Sequence, residues 1–170
     1  MKLPSARDAV TELIVEVFRL NGRLLAAGDV LVGDIGLTSA RWQVLGAIAL
    51  SPVPLPVAHL ARNMGLARQS VQRLVGEMER DGLVRAAPNP HHRRASLILL
   101  TERGEAAYRT AMTRQGHWAE DLAAGLTPQD ISATTDLLRR LRRHLEAAAT
   151  ASPDDPGLHP DMEDDNGDVR

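Results

Sequence analysis

The residues of this 170-residue sequence best suited to chemistry are Gln and Arg side chains on one face of a predicted helix. The helix covers about residues 67–82, and its apolar positions recur at the spacing of one buried face: Val71, Leu74, Val75 and Met78. The opposite face carries Gln69, Gln72, Arg73, Gly76 and Arg80. Arg pairs with guanine and Gln with adenine in the major groove, so this face is predicted to read base edges. An ordinary solvated helix carries similar residues, and the pattern alone leaves that alternative open.

The segment before this helix predicts how it is presented. Pro56–Met64 places apolar residues on one helical face, and Gly65 supplies the residue that tolerates a left-handed turn. Two short helices joined by such a turn form a helix-turn-helix, whose second helix enters the groove. The predicted contacts of the second helix with DNA are Arg68, Gln69, Ser70, Gln72 and Arg73, with Arg68 on a phosphate.

The segment after this helix predicts a β-hairpin with a cationic tip. Leu83–Ala86 and Ser96–Leu100 have the composition of strands, and residues 89–94 between them are rich in turn formers, His and Arg. The tip is expected to reach the minor groove or the phosphates through His92, Arg93 and Arg94. The predicted fold is therefore mainly α with a small β-hairpin wing, a winged helix-turn-helix over about residues 37–104.

Amphipathic helices are predicted at both ends, over about residues 5–31 and 102–149, the second with a break near Gly125. A compact winged helix has little further core for two such apolar faces. We therefore expect them to form a two-fold homodimer within one domain at residues 5–150, although packing inside a single chain is the alternative. A two-fold protein predicts an inverted-repeat operator. The predicted dimerisation residues are Val10, Leu13, Ile14, Val17, Leu138, Leu141 and Leu145.

Composition limits the other classes of function. The chain has no Cys, which excludes disulfides and thiolate metal sites, and aromatic residues are only 2% of it, which disfavours binding of single-stranded nucleic acid. No apolar run is long enough for a membrane span, so a cytoplasmic protein without a membrane partner is expected. Residues 152–170 hold seven acidic residues against one Arg and are predicted to be a disordered acidic tail, either a solubilising segment or a competitor of DNA.

An enzyme is not predicted, because the sequence has no phosphate-binding Gly-rich loop, H-E-x-x-H or G-x-S-x-G motif, and no cofactor is expected. Adjacent His91 and His92 lack the carboxylate or thiolate partners of a metal site and are interpreted as solvated wing residues. The remaining alternative is a winged-helix module that binds protein without reading DNA. Salt dependence separates the two, since binding to DNA releases counterions.

The order and spacing of several short motifs resemble the MarR family of bacterial transcriptional regulators over roughly residues 5–150. The matching segments are Leu37-Thr38 with residues 41–45, Leu60-Ala61, residues 69–71 with residues 73–75, residues 81–84, Pro90 with residues 93–95, and residues 100–104. The resemblance implies a homodimer with interlocked terminal helices, whose wing Arg enters the minor groove. We predict a transcriptional regulator that acts as a repressor rather than an activator. The resemblance also implies release from DNA by a small aromatic or phenolic effector, for which Trp42 and Tyr108 are candidate pocket residues. Core packing is the alternative role of both side chains.

Three features depart from the family pattern. Such wings usually carry Asp two residues before the second Arg, where this sequence has His92, and the preceding Asp-Pro is Asn89-Pro90. Arg94 is therefore expected to be less rigidly held, or the wing to respond to pH, since free His titrates near pH 6.5. Gly76 replaces a larger polar residue on the outward helix face, and the acidic tail has no counterpart.

Overall fold

The computed structural model describes residues 5–92 and 94–151, so the predictions for Arg93 and the tail at 152–170 fall outside it. The chain divides into two compact units, Met1–Leu122 and Ala123–Arg170. The described helices are α1 (Ala6–Val32), α2 (Ser39–Ala49), α3 (Val57–Met64), α4 (Arg68–Arg80), α5 (Glu102–Leu122) and α6 (Pro128–Ala151), with a 3₁₀ turn at Gly33–Ile35. The described strands are β1 (Leu55–Pro56), β2 (Val84–Ala87) and β3 (Leu97–Leu100). The predicted mainly helical winged fold is confirmed.

Helices α1 and α2 pack closely where α1 has a glycine, Gly28. Gly28 of α1 faces Ser39 at the start of α2, and a Cβ on Gly28 would lie inside van der Waals distance of the Ser39 hydroxyl. The Ser39 hydroxyl donates to the Leu25 carbonyl at 2.7 Å, and the Ser39 backbone N–H donates to the Asp29 carboxylate at 2.6 Å. Because a buried hydroxyl needs a partner, these bonds fix α1 against the first turn of α2.

The helix-turn-helix forms as predicted. Thr38 caps α2 by accepting from the Arg41 N–H at 3.3 Å, and Gly65 ends α3 with φ of +65°. Gly82 ends the turn after α4 with φ of +70°. The largest fully buried side chains of this unit come from α2, α3, α4, the end of α1 and β2: Leu45, Leu60, Met78, Val32, Val44, Val71 and Val84.

The sheet has three strands in the order β1-β3-β2, all antiparallel, where only a two-stranded hairpin was predicted. Leu55 pairs with Ile98 and Pro56 with Leu97, so the sequence analysis missed a third strand. A two-residue strand has too few residues to show alternation, and its pairing depends on a segment some forty positions away. Pro56 is tolerated there because β1 is an edge strand.

The start of α5 is bonded to the turn between α4 and β2. Thr101 caps α5 by accepting from the Gly104 N–H at 3.1 Å, while its own hydroxyl donates to the Gly82 carbonyl at 2.6 Å. Arg103 Nη1 donates to the Asp81 carbonyl at 2.9 Å. A Cβ on Gly104 would overlap the Leu83 carbonyl oxygen, so the two backbones touch directly. The end of α4 and the start of β2 are thereby held to α5.

The second unit begins with the predicted restart. Gly125 has φ of +80°, and Thr127 caps α6 by accepting from the Asp130 N–H at 3.1 Å. Pro128 occupies the first helical position, where its missing N–H costs nothing. Several large apolar side chains on α6 are exposed, with Leu145 at 73%. No helix within the described residues is both long and apolar enough to cross a membrane.

Candidate nucleic-acid interface

Two rows of side chains run along the solvent side of α4. Arg68, Gln72, Gly76 and Glu79 border the cleft between α4 and the wing, which we define as residues 88–96 between β2 and β3. Gln69 and Arg73 are exposed and do not line that cleft. Opposite both rows, Val71, Val75 and Met78 are buried in the core, as the helical period requires. The predicted polar face of α4 therefore exists and is divided into a wing side and an outer side.

The predicted contact residues of α4 are unengaged. Arg68, Gln69, Ser70, Gln72 and Arg73 are all exposed, and their side chains make no ion pair or hydrogen bond within the described part of the chain. The N-cap residue is Ala67, whose side chain cannot accept the free N–H groups of the first turn. A helix start of this kind is compatible with a phosphate oxygen as the missing acceptor.

The C-terminal end of α4 is anchored by an ion pair that sequence analysis did not predict. Arg41 of α2 contacts Asp81 through Nη1 at 2.9 Å and Glu77 through Nη2 at 3.7 Å. The Arg41 side chain is only 20% exposed, so both contacts are partly shielded from water. This pair fixes the rotation of α4 about its axis and thus the direction of its polar rows.

The wing is a tight turn organised by Asn89. The Asn89 Nδ2 donates to the Ala95 carbonyl at 2.9 Å, and its Oδ1 accepts from the His91 backbone N–H at 3.0 Å. Backbone bonds from His92 N–H to the Asn89 carbonyl at 3.3 Å and from Ala95 N–H to the His92 carbonyl at 3.0 Å complete it. The turn is closed at both ends, and its described side chains His91, His92 and Arg94 are exposed to solvent.

The cleft brings some predicted residues together and leaves others apart. Arg68 and Gln72 of α4 face His92 and Arg94 of the wing across it. Gln69, Ser70 and Arg73 lie on the outer side of α4 and do not border it. Its width is set by a bond from the Ala86 N–H to Glu79 Oε1 at 3.2 Å, which joins β2 to α4. The arrangement provides a cationic groove beside an exposed helix, as a nucleic-acid backbone and an adjacent major groove require.

Arg94 forms no ion pair with the residues that the structure describes, and the predicted looser hold on its side chain stays a prediction. Among the described residues, no carboxylate lies within 4 Å of the Arg94 guanidinium, and both Arg94 and His92 are exposed. The cation of Arg94 is therefore available to a ligand.

Sequence analysis missed three residues that border the cleft: His59, Glu79 and Asn89. The sequence analysis noted Asn89 only as a departure from a family pattern. An Asn-Pro pair in a turn nevertheless indicates that the Asn side chain bonds to the backbone. His59 and Glu79 gave no such signal, because their roles depend on contacts between elements.

The candidate effector residues pack against glycines of other helices. Trp42 is half-buried next to Gly28 of α1, and half-buried Tyr108 lies 3.6 Å from the position of a Cβ on Gly46. Both belong to the partly buried layer around the core. Their predicted role in ligand binding stays a prediction.

The turn before α2 carries a bidentate ion pair with α5. Arg114 Nη1 donates to Asp34 Oδ1 and to the Leu31 carbonyl at 2.9 Å, and Nη2 donates to Asp34 Oδ2 at 2.8 Å. The side-chain hydrogen bond from Arg114 lowers the pKa of Asp34, and the same bond raises the pKa of Arg114. The pair fastens α5 to the end of α1.

The predicted dimerisation residues are incompletely covered by their own chain. On α1, Val10 is 39% and Ile14 is 45% exposed, and Leu13 and Val17 are half-buried. On α6, Leu138 is exposed and Leu141 is half-buried. Phe18 of α1, at 73%, is also exposed. Exposed apolar faces of this extent are typical of protein contact surfaces.

Comparison with known proteins places these features in one family. A sequence model of the MarR family matches residues 35–95. The chain is 36% identical over 106 residues to the transcriptional activatory protein BadR of Rhodopseudomonas palustris, covering 59% of this chain and 61% of that protein. It is 30% identical over 102 residues to the homoprotocatechuate degradative operon repressor of Escherichia coli, covering 60% of this chain and 68% of the repressor.

A solved structure extends the likeness over most of the chain. The PcaV transcriptional regulator from Streptomyces coelicolor, in complex with its natural ligand, superposes with a TM-score of 0.63 at 25% identity. The match covers 84% of this chain and 98% of that one. Together with the exposed helix and cationic wing, these relatives show that the chain belongs to the MarR family and is a DNA-binding transcription regulator, not an enzyme.

Proposed function

We propose that this protein is a homodimeric repressor that binds an inverted repeat in double-stranded DNA and is released by a small aromatic or phenolic effector. The observation that supports it best is the free polar face of α4 beside the cationic wing, with every predicted contact side chain of α4 unengaged. An exposed face of Gln and Arg on a helix anchored by Arg41 has the chemistry and rigidity for reading bases. It acts on DNA in the cytoplasm.

Each side of α4 has its own role in this proposal. Gln69, Ser70, Gln72 and Arg73 read base edges in the major groove, and Arg68 binds a phosphate at the helix start. On the wing, Arg93 and Arg94 hold the minor groove or its phosphates, with His92 beside them.

The homodimer is supported by the apolar faces that the chain leaves exposed on α1 and α6. A second copy that covers them places two recognition helices on one side of the duplex, about one DNA turn apart. The domain then consists of residues 5–150, with the winged helix at about 37–104 and the flanking helices as dimerisation segments.

The effector is supported by the descriptions of two relatives. PcaV is described with its natural ligand, and the Escherichia coli relative is named for repression of an operon that degrades homoprotocatechuate, a phenolic acid. Trp42 and Tyr108 remain our candidates for the pocket. We propose repression by analogy with the Escherichia coli repressor. BadR, by contrast, is named as a transcriptional activatory protein.

The first experiment is selection of bound duplexes from a random pool with the purified full chain, followed by anisotropy of the winner across salt. We expect an inverted repeat with half-site centres about one turn apart, and log affinity that falls linearly with log salt. A reporter gene placed behind this operator should be expressed less when the protein is supplied. Increased expression of the reporter would show that the protein is an activator. No enrichment at low salt, also with a chain ending at residue 151, would refute sequence reading and favour a protein-binding module.

A further inference from the structure

The shape of the wing depends on one neutral side chain. Asn89 donates to the Ala95 carbonyl at 2.9 Å and accepts from the His91 N–H at 3.0 Å, so its amide spans the turn from its first residues to its last. Asn89 is half-buried, while His91, His92 and Arg94 around it are exposed. The amide thus stabilises the turn that carries the exposed residues of the wing.

We propose that Asn89 is the positioning residue of the wing, holding the wing cations towards the DNA backbone where an ion pair would otherwise do so. This inference rests on the proposed function. Within the described residues no carboxylate lies within 4 Å of Arg94, and the turn that carries it is closed by the two hydrogen bonds of the Asn89 amide. An ion pair with a carboxylate would partly neutralise the positive charge of Arg94. The neutral Asn89 amide does not, so the full charge can attract a phosphate.

The chemistry requires Asn and not Asp at this position. An amide donates and accepts at once, whereas a carboxylate only accepts. Asp at position 89 would keep the bond from the His91 N–H, but it would lose the donor to Ala95 and set a negative charge against a carbonyl oxygen. Only a protonated carboxyl regains that donor, which gives the Asp variant a pH dependence that an Ala variant lacks.

The test compares the full chain with N89A and N89D on the selected duplex across salt. We expect N89A to weaken binding about five-fold, as for the loss of one net hydrogen bond. The slope of log affinity against log salt should become shallower by about 0.9 for each phosphate that the wing no longer binds. Asn89 is uncharged, so a changed slope must come from the wing cations. The matched control Q43E, an amide-to-carboxylate change at an exposed position of α2 that does not border the cleft, should leave the slope unchanged.

A double-mutant cycle asks whether Asn89 acts through the wing Arg residues. In an R93A/R94A background, adding N89A should weaken binding by less than about two-fold, because the effects of residues that act through one shared interaction are not additive. Independent, multiplying effects, or an N89A protein with the affinity and salt slope of the parent, would overturn the proposal.

The pH dependence of DNA affinity distinguishes a positioning role of Asn89 from a general disruption of the wing. The introduced carboxylate would accept from the His91 N–H and lie among the cations of the wing and Arg68, which lower its pKa, while Glu79 and the Ala95 carbonyl raise it. For N89D relative to the parent, the loss of affinity should therefore narrow as pH falls from about 6 towards the ordinary Asp pKa of about 3.9. The relative loss for N89A should stay flat. A constant ratio for N89D would contradict the donor role of the amide.

A readout without DNA distinguishes this proposal from the proposed function. Trypsin cleaves after Arg, and the wing carries Arg93 and Arg94, so N89A should be cut there several-fold faster than the parent at unchanged thermal stability. If the parent binds no duplex but N89A is cut faster, only the proposed function fails. If the parent binds and N89A is cut no faster, the role of Asn89 fails and DNA binding stands.

Discussion

Arg73 and Arg94 carry the same charge, but their surroundings predict different contacts. Arg73 lies on the outer side of rigid α4, beside Gln69, while Arg94 lies on the wing across the cleft. A guanidinium on an anchored helix keeps a fixed direction and can pair bidentately with guanine. A guanidinium on the wing is better suited to phosphates or to the charge of the minor groove.

Arg73→Ala should cost about 1–3 kcal/mol of specific binding and relax preference at one base position. The measurement is anisotropy on the selected duplex and on single-position variants of it. Arg94→Ala is the matched control, which should weaken all duplexes alike and reduce the salt slope by about 0.9. A uniform loss for Arg73→Ala would reassign Arg73 to a phosphate.

Asp34 gives the fold a predicted response to acid. Its pKa is lowered mainly by the hydrogen bond from Arg114, so its contribution to stability is present above the unfolded pKa and is lost as pH falls through the folded value. The melting temperature of the parent should exceed that of Asp34→Asn at neutral pH. The difference should shrink below about pH 4, where Asp becomes protonated in the unfolded chain. Asp34 is 66% exposed, so high salt should also reduce the difference, and a gap independent of pH would refute this account.

At the scale of elements, α4 and the wing are positioned by contacts from every neighbour. Arg41 holds the end of α4, Glu79 joins α4 to β2, and Thr101 joins α5 to the turn between them. These bonds connect residues seven to forty positions apart. The DNA-facing geometry is therefore a property of the whole unit and not of the helix-turn-helix alone.

Glu79→Gln should raise DNA affinity modestly, by about two-fold to five-fold, because it removes a negative charge from the cleft and keeps an acceptor for the Ala86 N–H. Glu79→Ala removes the charge and the bond together, so it should gain less or lose affinity. Anisotropy on one duplex at fixed salt measures both. Equal gains for the two variants would show that the bond does not set the wing position.

Gly104→Ala should destabilise the protein by about 3 kcal/mol, because the added methyl meets a backbone carbonyl that cannot rotate away. Gly116→Ala is the control on the same helix. Nothing lies within 4 Å of its added Cβ, so it should stabilise by up to about 1 kcal/mol. Urea unfolding measures both changes. A neutral Gly104→Ala would mean that α5 can move from the turn at no cost.

The sequence allowed accurate prediction of features that depend on local patterns. The amphipathic helices follow from periodicity, and the turn at Gly65 follows from a residue that tolerates a left-handed conformation. Strand β1 and the Arg41 ion pair could not be predicted, because each joins segments far apart in the chain. The rows of α4 were predicted as one face, since only the position of the wing divides them.

At the scale of the whole molecule, the amount of exposed apolar surface is the main unexplained feature of a single chain. Phe18 and Leu145 are both 73% exposed, and they lie in different compact units. Their burial by a second copy would contribute free energy in proportion to the apolar area removed from water, at about 25 cal/mol per Å².

Ile14→Glu should convert a dimer into a monomer, because a carboxylate cannot be buried unpaired in an apolar contact. Sedimentation velocity measures the assembly, and the operator affinity should fall at least ten-fold as one half-site is lost, roughly 1.4 kcal/mol or more. Leu50→Glu is the control, since Leu50 is 80% exposed but lies outside α1 and α6. If both variants sediment as the parent does, the Ile14 face is not in the contact.

The crossing at Gly28 and Ser39 has a genetic consequence. Gly28 meets a side chain, the Ser39 hydroxyl, so a harmful Gly28→Ala allele should have a second-site suppressor at codon 39, Ser39→Gly, that frees the space. A Cβ on Gly104 would meet the Leu83 backbone, which no codon change can remove. Harmful Gly104 alleles should therefore have no suppressor at codon 83. In a selection for restored regulation, the two glycines should therefore yield different classes of revertant, one compensated at a second codon and the other only by true reversion.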